Sequence, residues 1–425
     1  MNEELLELEI GAPAHGGHCV ARHDGRVVFV RHAVPGERVR ARVLDRRSRF
    51  WRAEAVEVLR PSPDRVPSVW PEAGPGGVGG GELAHVALPA QRRWKQEVLA
   101  DTLRRIGGPA VAEDVAALVG AAAPPVEQLP GDEVTGGLGT RTRIELTVDE
   151  DGAAGMYRPR SHDVVAVRSI PLAVPAIVDL GLLGPGSRWR RAWHPWARVE
   201  AVAPITGEPL VLVDGEPARR PGRRPRGGDV PPRRSVREVV PSAVGELAYR
   251  VSGSGFWQVH REAPATLVAA VLDGGRPQPG ERVLELYAGA GLLTLPLARS
   301  VGETGAVTSV EGAATAVRDA RRNLHAHPWA ELRTGHVDAA AVTGAGARPD
   351  LVVLDPPRTG AGAGVMAAVA GLGPRAVVHV ACDPAALARD LRAAREHGYR
   401  VTGLRALDLF PHTHHLEAVA VLERG

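Results

Sequence analysis

The sequence predicts an α/β protein in three parts: a small OB-like β-barrel over residues 1–60, a central α+β domain over 61–250 and a Rossmann-like domain over 251–425. Three observations carry this reading. At 425 residues the chain is long for one hydrophobic core. Residues 5–60 are short apolar runs separated by turn signals. From residue 281 onward, β-branched runs alternate with helical stretches, the pattern of a parallel sheet.

Composition excludes several classes. With 44% apolar and 24% charged residues the chain is not broadly disordered. No apolar run of about 18 residues occurs, so no membrane-spanning helix is expected. Met1-Asn2-Glu3-Glu4 is acidic where a secretory signal carries positive charge, so a cytoplasmic protein is expected, with no membrane partner and no obligate protein partner. Cys19 and Cys382 are too few for a disulfide framework or a cysteine-rich metal site. Lys95 is the only lysine, so 51 of the 52 basic residues are arginine. Abundant Ala, Gly and Pro assign most of that bias to base composition. Arginine still suits phosphate recognition, so its placement matters.

In the first part, Val27–Val30 form a strand core, Pro35-Gly36 a turn, and Val39–Val43 alternate as a half-solvated strand. Arg38, Arg40, Arg42, Arg46, Arg47, Arg49 and Arg52 interleave with Phe50 and Trp51, which suits single-stranded nucleic acid. Acidic residues are nearly as numerous there, so a solvated strand face reads equally well. Residues 61–81 are a Pro/Gly-rich linker or loop. Trp94, Val98, Leu99, Leu103 and Ile106 then take helical spacing, ended by Gly107-Gly108. Residues 138–175 read as strands around a turn. Between 188 and 237 there are twelve arginines against five acids, and Arg219–Arg237 reads as a basic loop.

In the last part, RVLELYAG, AVTSVEG, DLVVLDPP and AVVHVACDP read as parallel strands separated by helices. YRVTGLRALDLF and EAVAVLERG have no helix between them and should pair antiparallel, the architecture of class I S-adenosylmethionine-dependent methyltransferases. Gly289 and Gly291, in LYAGAG, let backbone approach a ligand at the strand carboxyl ends. Glu311, 22 residues beyond Gly289, ends the second strand, where a carboxylate holds ribose hydroxyls. A nicotinamide dinucleotide would read the same two features. Asp355-Pro356-Pro357-Arg358 favours the methyl donor, since a hydride-transfer site needs no such stiff acidic loop. Cys382 ends the fifth strand just before a helix, whose N-terminus should draw the thiol toward thiolate. The His412-Thr413-His414-His415 turn has no metal-site spacing, and no metal is expected.

Taken together, FWQVH (256–260), LELYAGAG (284–291), VEG (310–312), LDPPRTG (354–360), ACDPAALARDL (381–391) and DLFPHTHHLEAVAVLER (408–424) resemble the tRNA and rRNA uridine carbon-5 methyltransferases. The N-terminal barrel resembles the TRAM domain these enzymes often carry. The resemblance implies that Cys382 adds to carbon 6 of uracil and that Glu417 removes the carbon-5 proton after methylation. It places Gln258, Tyr287, Glu311 and Asp355 at the cofactor, with Asp338 toward the adenine side. It implies tRNA or rRNA as partner and a uridine taken out of its stack.

The chain departs from relatives that hold a [4Fe–4S] cluster. Val78-Gly79-Gly80-Gly81 stands where their Cys-Gly-Gly-Cys falls, and Ile170 stands at the fourth ligand, so no Cys-ligated cluster is expected. His260 replaces a common Asn. Two other readings fit the sequence less well. A cytosine carbon-5 methyltransferase would place its nucleophile in a Pro-Cys motif after the fourth strand, where this chain has Pro-Pro. A non-catalytic RNA-binding module would not need Cys382, Glu417 and Asp355 together.

Overall fold

The computed structural model describes residues 5–219, 221, 233–346 and 348–425. The basic loop expected over Arg219–Arg237 lies for the most part outside the described residues.

The N-terminal chain forms a six-stranded sheet. Leu5–Glu9 pairs antiparallel with Arg38–Arg46 at one edge, and Pro13–Ala14 pairs with His18–His23 at the other. One short segment thus joins both edges and closes the sheet into a barrel. Leu6, Leu8, Val28, Val30, Val39 and Ala41 fill its interior. The outward residues of Arg38–Arg46 are the arginines, matched by an acidic ladder: Arg38 to Glu7, Arg40 to Glu7 and Glu57, Arg42 to Glu54. This face is therefore less cationic than its arginine count suggests.

Leu88–Thr102 is the expected helix, with Pro89 in its first turn, where no N–H is needed. Its buried stripe faces two cores. Trp94 and Val98 pack into the barrel, whereas Leu99 and Leu103 pack against the C-terminal sheet. The helix therefore mortars the barrel to the C-terminal domain. Val126–Glu127 goes further and adds a strand to the C-terminal sheet beside Tyr399–Leu407.

Residues 143–217 build a separate six-stranded antiparallel sheet. Its core contains Trp70, Val78, Ile170 and Leu172. Gly81 packs so closely on this core that a Cβ there would stand 2.7 Å from the Ala73 Cβ and 2.8 Å from Trp70 Cε3.

The C-terminal sheet has eight strands. Arg282–Leu286 is central, with Ala306–Glu311 and then Ala330–Thr334 parallel on one side. On the other side lie Leu351–Leu354 and Ala376–Ala381, also parallel. Glu417–Arg424 pairs antiparallel with Ala376–Ala381, and Tyr399–Leu407 follows it. Leu351–Leu354 and Ala376–Ala381 are buried at every residue, which explains why they read as apolar runs, interrupted only by His379. Polar side chains appear where the strands end.

Candidate active site

A cavity of about 630 Å³ opens at the carboxyl ends of the parallel strands. Gln258, Tyr287, Gly289, Glu311, Asp355, Cys382 and Glu417 all line it. Gly291 and Asp338 do not. Gly291 is buried at φ +86 behind the loop. Asp338 is exposed and caps the helix Ala339–Thr343, its Oδ1 accepting from the Ala341 N–H at 2.8 Å.

Strand register brings Cys382 and Glu417 together. Ala381 stands opposite Ala418, so the next residues outward, Cys382 and Glu417, face each other at the same end of two hydrogen-bonded strands. Directly opposite side chains in such a pair sit about 5 Å apart at Cβ. Asp355 reaches the same end from the neighbouring strand.

The cavity wall around Gly289 is built by backbone. Tyr287 turns at φ +66 and Gly289 at φ +55, and open space surrounds the position of a Gly289 Cβ. The Gly289 N–H donates to Glu311 Oε2 at 2.8 Å, and the Ala313 N–H donates to Oε1 at 2.6 Å. An ionised carboxylate has about four acceptor sites, so Glu311 keeps capacity for two hydroxyls.

Buried networks hold the loops in place. His379 Nε2 lies 3.0 Å from Asp390 Oδ2, and Asp390 also accepts from the Ala361 and Gly362 N–H groups at 2.8 and 2.9 Å. This carboxylate fixes the loop after Asp355–Arg358 to the helix Pro384–Glu396 that follows the cysteine. Gly360, at φ +85, is required there: a Cβ would lie 2.8 Å from Asp390 Oδ2. The only lysine is fully buried, and its Nζ donates to Asp408 at 2.5 Å and to the Phe410 carbonyl at 3.0 Å. One turn earlier on the same helix, Gln91 Oε1 accepts from the His412 N–H at 2.7 Å. Together they hold residues 408–416, which bring Phe410 and His415 to the cavity wall. His15 of the barrel reaches Asp383 at 2.9 Å, beside Cys382. His260 is buried against Asp132 at 3.2 Å and lies outside the cavity wall.

The electrostatics correct one expectation. Burial first, then the charges of Glu417 and Asp355, push the Cys382 thiol up to about 12, against the opposing pull of Arg358. The helix N-terminus does not win because Asp383 caps it, accepting from the Ala386 N–H, and adds a like charge beside a thiolate. Burial raises Asp355 to about 7 and holds Glu417 well above the usual carboxylate range, where the Asp355 charge adds to the effect. Glu285, beneath the loop, is likewise raised to about 7 by burial despite hydrogen bonds from Thr294 and Ser309.

A raised thiol is protonated at neutral pH in the RNA-free protein. At pH 8 its ionised fraction is about a thousandfold below that of an ordinary thiol, and greater intrinsic nucleophilicity returns only part of this. Iodoacetamide should therefore label Cys382 roughly 50-fold more slowly than a free cysteine, with the rate rising about tenfold per pH unit through pH 9.5. Labelling that levels off below pH 8 would show a preformed thiolate. Cys19, buried in the barrel, should stay unlabelled.

Reading from motifs missed Arg358, the cation facing the pair, as well as Glu285, Phe256, Phe410 and His415 in the cavity wall. Arg358 was visible within Asp-Pro-Pro-Arg, but only the folded loop brings its charge to the cysteine. Among the described residues, no three His, Cys, Asp or Glu side chains converge as a metal site. None of the described helices is long and apolar enough to cross a membrane.

Comparisons with known proteins bear on this site. A family model described as tRNA (Uracil-5-)-methyltransferase matches residues 232–425, and a TRAM domain model matches residues 1–56. An RNA methyltransferase of Streptomyces avermitilis is 43% identical, over 100% of this chain and 99% of its own. A 23S rRNA (uracil(1939)-C(5))-methyltransferase of Alkalilimnicola ehrlichii is 34% identical, over 99% of this chain and 97% of its own. In fold, the chain is similar to the Pyrococcus abyssi tRNA (uracil-54, C5)-methyltransferase crystallised with S-adenosyl-L-homocysteine. The TM-score is 0.67 and the identity 20%, covering 98% of this chain and 100% of that one.

Proposed function

The chain belongs to the tRNA (uracil-5)-methyltransferase family, and on that premise we propose that it methylates carbon 5 of a uridine in tRNA or rRNA through a covalent Cys382 adduct. The observation that carries the reading is the placement of Cys382 opposite Glu417 on paired strands, at one wall of the cavity that Glu311 and Gly289 also line.

The cavity fits S-adenosylmethionine. Its volume lies within the roughly 300–1,000 Å³ range of small-molecule sites, Glu311 has room for two ribose hydroxyls, and Gln258, Tyr287 and Asp355 stand around the remainder. When bound, this cofactor supplies an electrophilic methyl group on a sulfonium centre. The protein's own steps concern the uracil ring. Cys382 gives its thiol proton to solvent water, the thiolate Sγ forms a bond to carbon 6, and the displaced pair of the carbon 5–carbon 6 double bond makes carbon 5 nucleophilic. Arg358 is the cation that favours the sulfur anion in that step. After methylation Glu417 takes the carbon-5 proton. The electrons of that bond restore the ring double bond, and the sulfur leaves with its own pair. Burial makes the Glu417 carboxylate a stronger base than a solvated one, and it takes this role once its own proton has left.

We further propose that the chain works without a Cys-ligated cluster. Val78 and Ile170 lie in the apolar core around Trp70, and at Gly81 not even a Cβ fits without displacing that indole.

The test is methyl transfer from labelled S-adenosylmethionine to total RNA from cells lacking the gene. The label should appear as 5-methyluridine on digestion, from a colourless preparation without iron. Label in cytidine or ribose would overturn the assignment, and stoichiometric iron would overturn the cluster-free reading.

A further inference from the structure

A second cleft, of about 520 Å³, lies between the barrel and the hairpin that joins Ala154–Tyr157 to Val164–Ala166. Arg31 and Arg42 line it from barrel strands, Gly76 and Gly77 from the glycine-rich segment, and Arg158 from the hairpin. Arg160 follows on the same hairpin, where the fields of Arg52, Arg31 and Arg47 oppose its charge. Arginines from three separate chain segments therefore converge here.

The acids nearby are largely engaged. Glu54 accepts from Arg42 and, at 3.0 Å, from the Gly76 N–H, and Asp45 is shared by Arg47 and Arg52. Among the described residues no acid pairs with Arg158 or Arg160. Arg31 Nε is buried without a hydrogen-bond partner, although its terminal nitrogen forms a loose ion pair with Glu82 at 3.7 Å. Unlike the paired outer face of the barrel, this cleft keeps an excess of cationic charge in partly enclosed surroundings, where a planar guanidinium meets a phosphate best.

A chain of side-chain contacts links the cleft to the wall of the catalytic cavity. Glu82, beside Arg31, lies 3.6 Å from His414 Nδ1. The His414 ring stands 4.1 Å from that of His415, which lines the catalytic cavity. His15, which touches Asp383 beside the nucleophile, lies against the same His414 ring at 6.4 Å.

We propose that this cleft between the barrel and the 157–164 hairpin grips the phosphate backbone of the RNA strand that leads to the target uridine. The inference rests on the RNA-methylating reading above and adds to it where the strand runs. Arg31, Arg158 and Arg160 contact phosphates without reading sequence, so they set affinity and position.

The test compares wild-type protein with the Arg158→Ala/Arg160→Ala double variant. A single-stranded uridine-containing oligoribonucleotide serves as the probe, its anisotropy measured across a salt series. Each lost phosphate contact lowers the salt slope by about 0.7 for a single strand. The double variant should therefore bind about tenfold more weakly at low salt, with a slope shallower by about 1.4. Its S-adenosylmethionine affinity should match wild type, and the loss in methylation should fall on KM for RNA. Arg158→Lys/Arg160→Lys should recover most of the slope, which a merely structural role would not do. Arg276→Ala, on an arginine paired with Glu423 at 2.9 Å outside this cleft, is the control. If wild type methylates RNA while the alanine variant keeps its affinity and slope, the cleft assignment is overturned. Wild-type protein that neither bound nor methylated RNA would overturn the underlying function and the cleft with it.

Discussion

Cys382→Ala should abolish methyl transfer, by on the order of 10⁴-fold or more, while S-adenosylmethionine still binds with little change. The large loss follows from chemistry: carbon 5 of uracil is a poor nucleophile until a sulfur atom adds to carbon 6. The retained binding follows from topology. The strand ending at Cys382 is separated from the strand ending at Glu311 by Arg282–Leu286 and Leu351–Leu354. Three inter-strand steps place the two about 14 Å apart. Equilibrium binding of the methyl donor and single-turnover methylation of RNA, measured on the same preparation, check both halves. Turnover near the wild-type rate would end the covalent proposal.

Glu417→Gln should fail differently. The amide keeps the size of the side chain but cannot accept the carbon-5 proton, so addition and methylation proceed while elimination slows by about 10²–10⁴-fold. A protein–RNA complex that survives denaturing electrophoresis should accumulate, dependent on both RNA and S-adenosylmethionine. Free product at the normal rate would remove Glu417 from the role of base. The contrast matters because a general packing defect would lower activity in both variants without accumulating anything.

Much of this site was legible in the sequence because each part falls at a strand end. Leu351–Leu354 is apolar throughout, so the first polar residue after it, Asp355, marks the edge of the sheet, and Cys382 stands at the end of a run that is apolar apart from His379. Glu311 was legible for the same reason. The facing of Cys382 and Glu417 was not, because it depends on the register of an antiparallel pair far apart in sequence. The state of the thiol was misjudged: the helix N-terminus is visible in sequence, whereas burial and two converging carboxylates are properties of the fold. Helical spacing marks residues 91–107, which the structure builds as the helix Leu88–Thr102 and a wider turn over Leu103–Gly107, but does not show that Lys95 and Gln91 hold the loop carrying His415. The barrel arginines were read as one class. In the structure, acids on neighbouring strands pair those of the outer face, while Arg158, distant in sequence, meets Arg31 and Arg42 in a cleft.

The most direct measurement is mass spectrometry of the complex trapped by Glu417→Gln, after exhaustive nuclease and protease digestion. The account predicts one modified peptide, in which residue 382 carries a uridine nucleotide plus a methyl group through a sulfur–carbon bond. A nucleotide attached to any other residue, or 5-methyluridine formed by this variant with no attached nucleotide at any time, would contradict it.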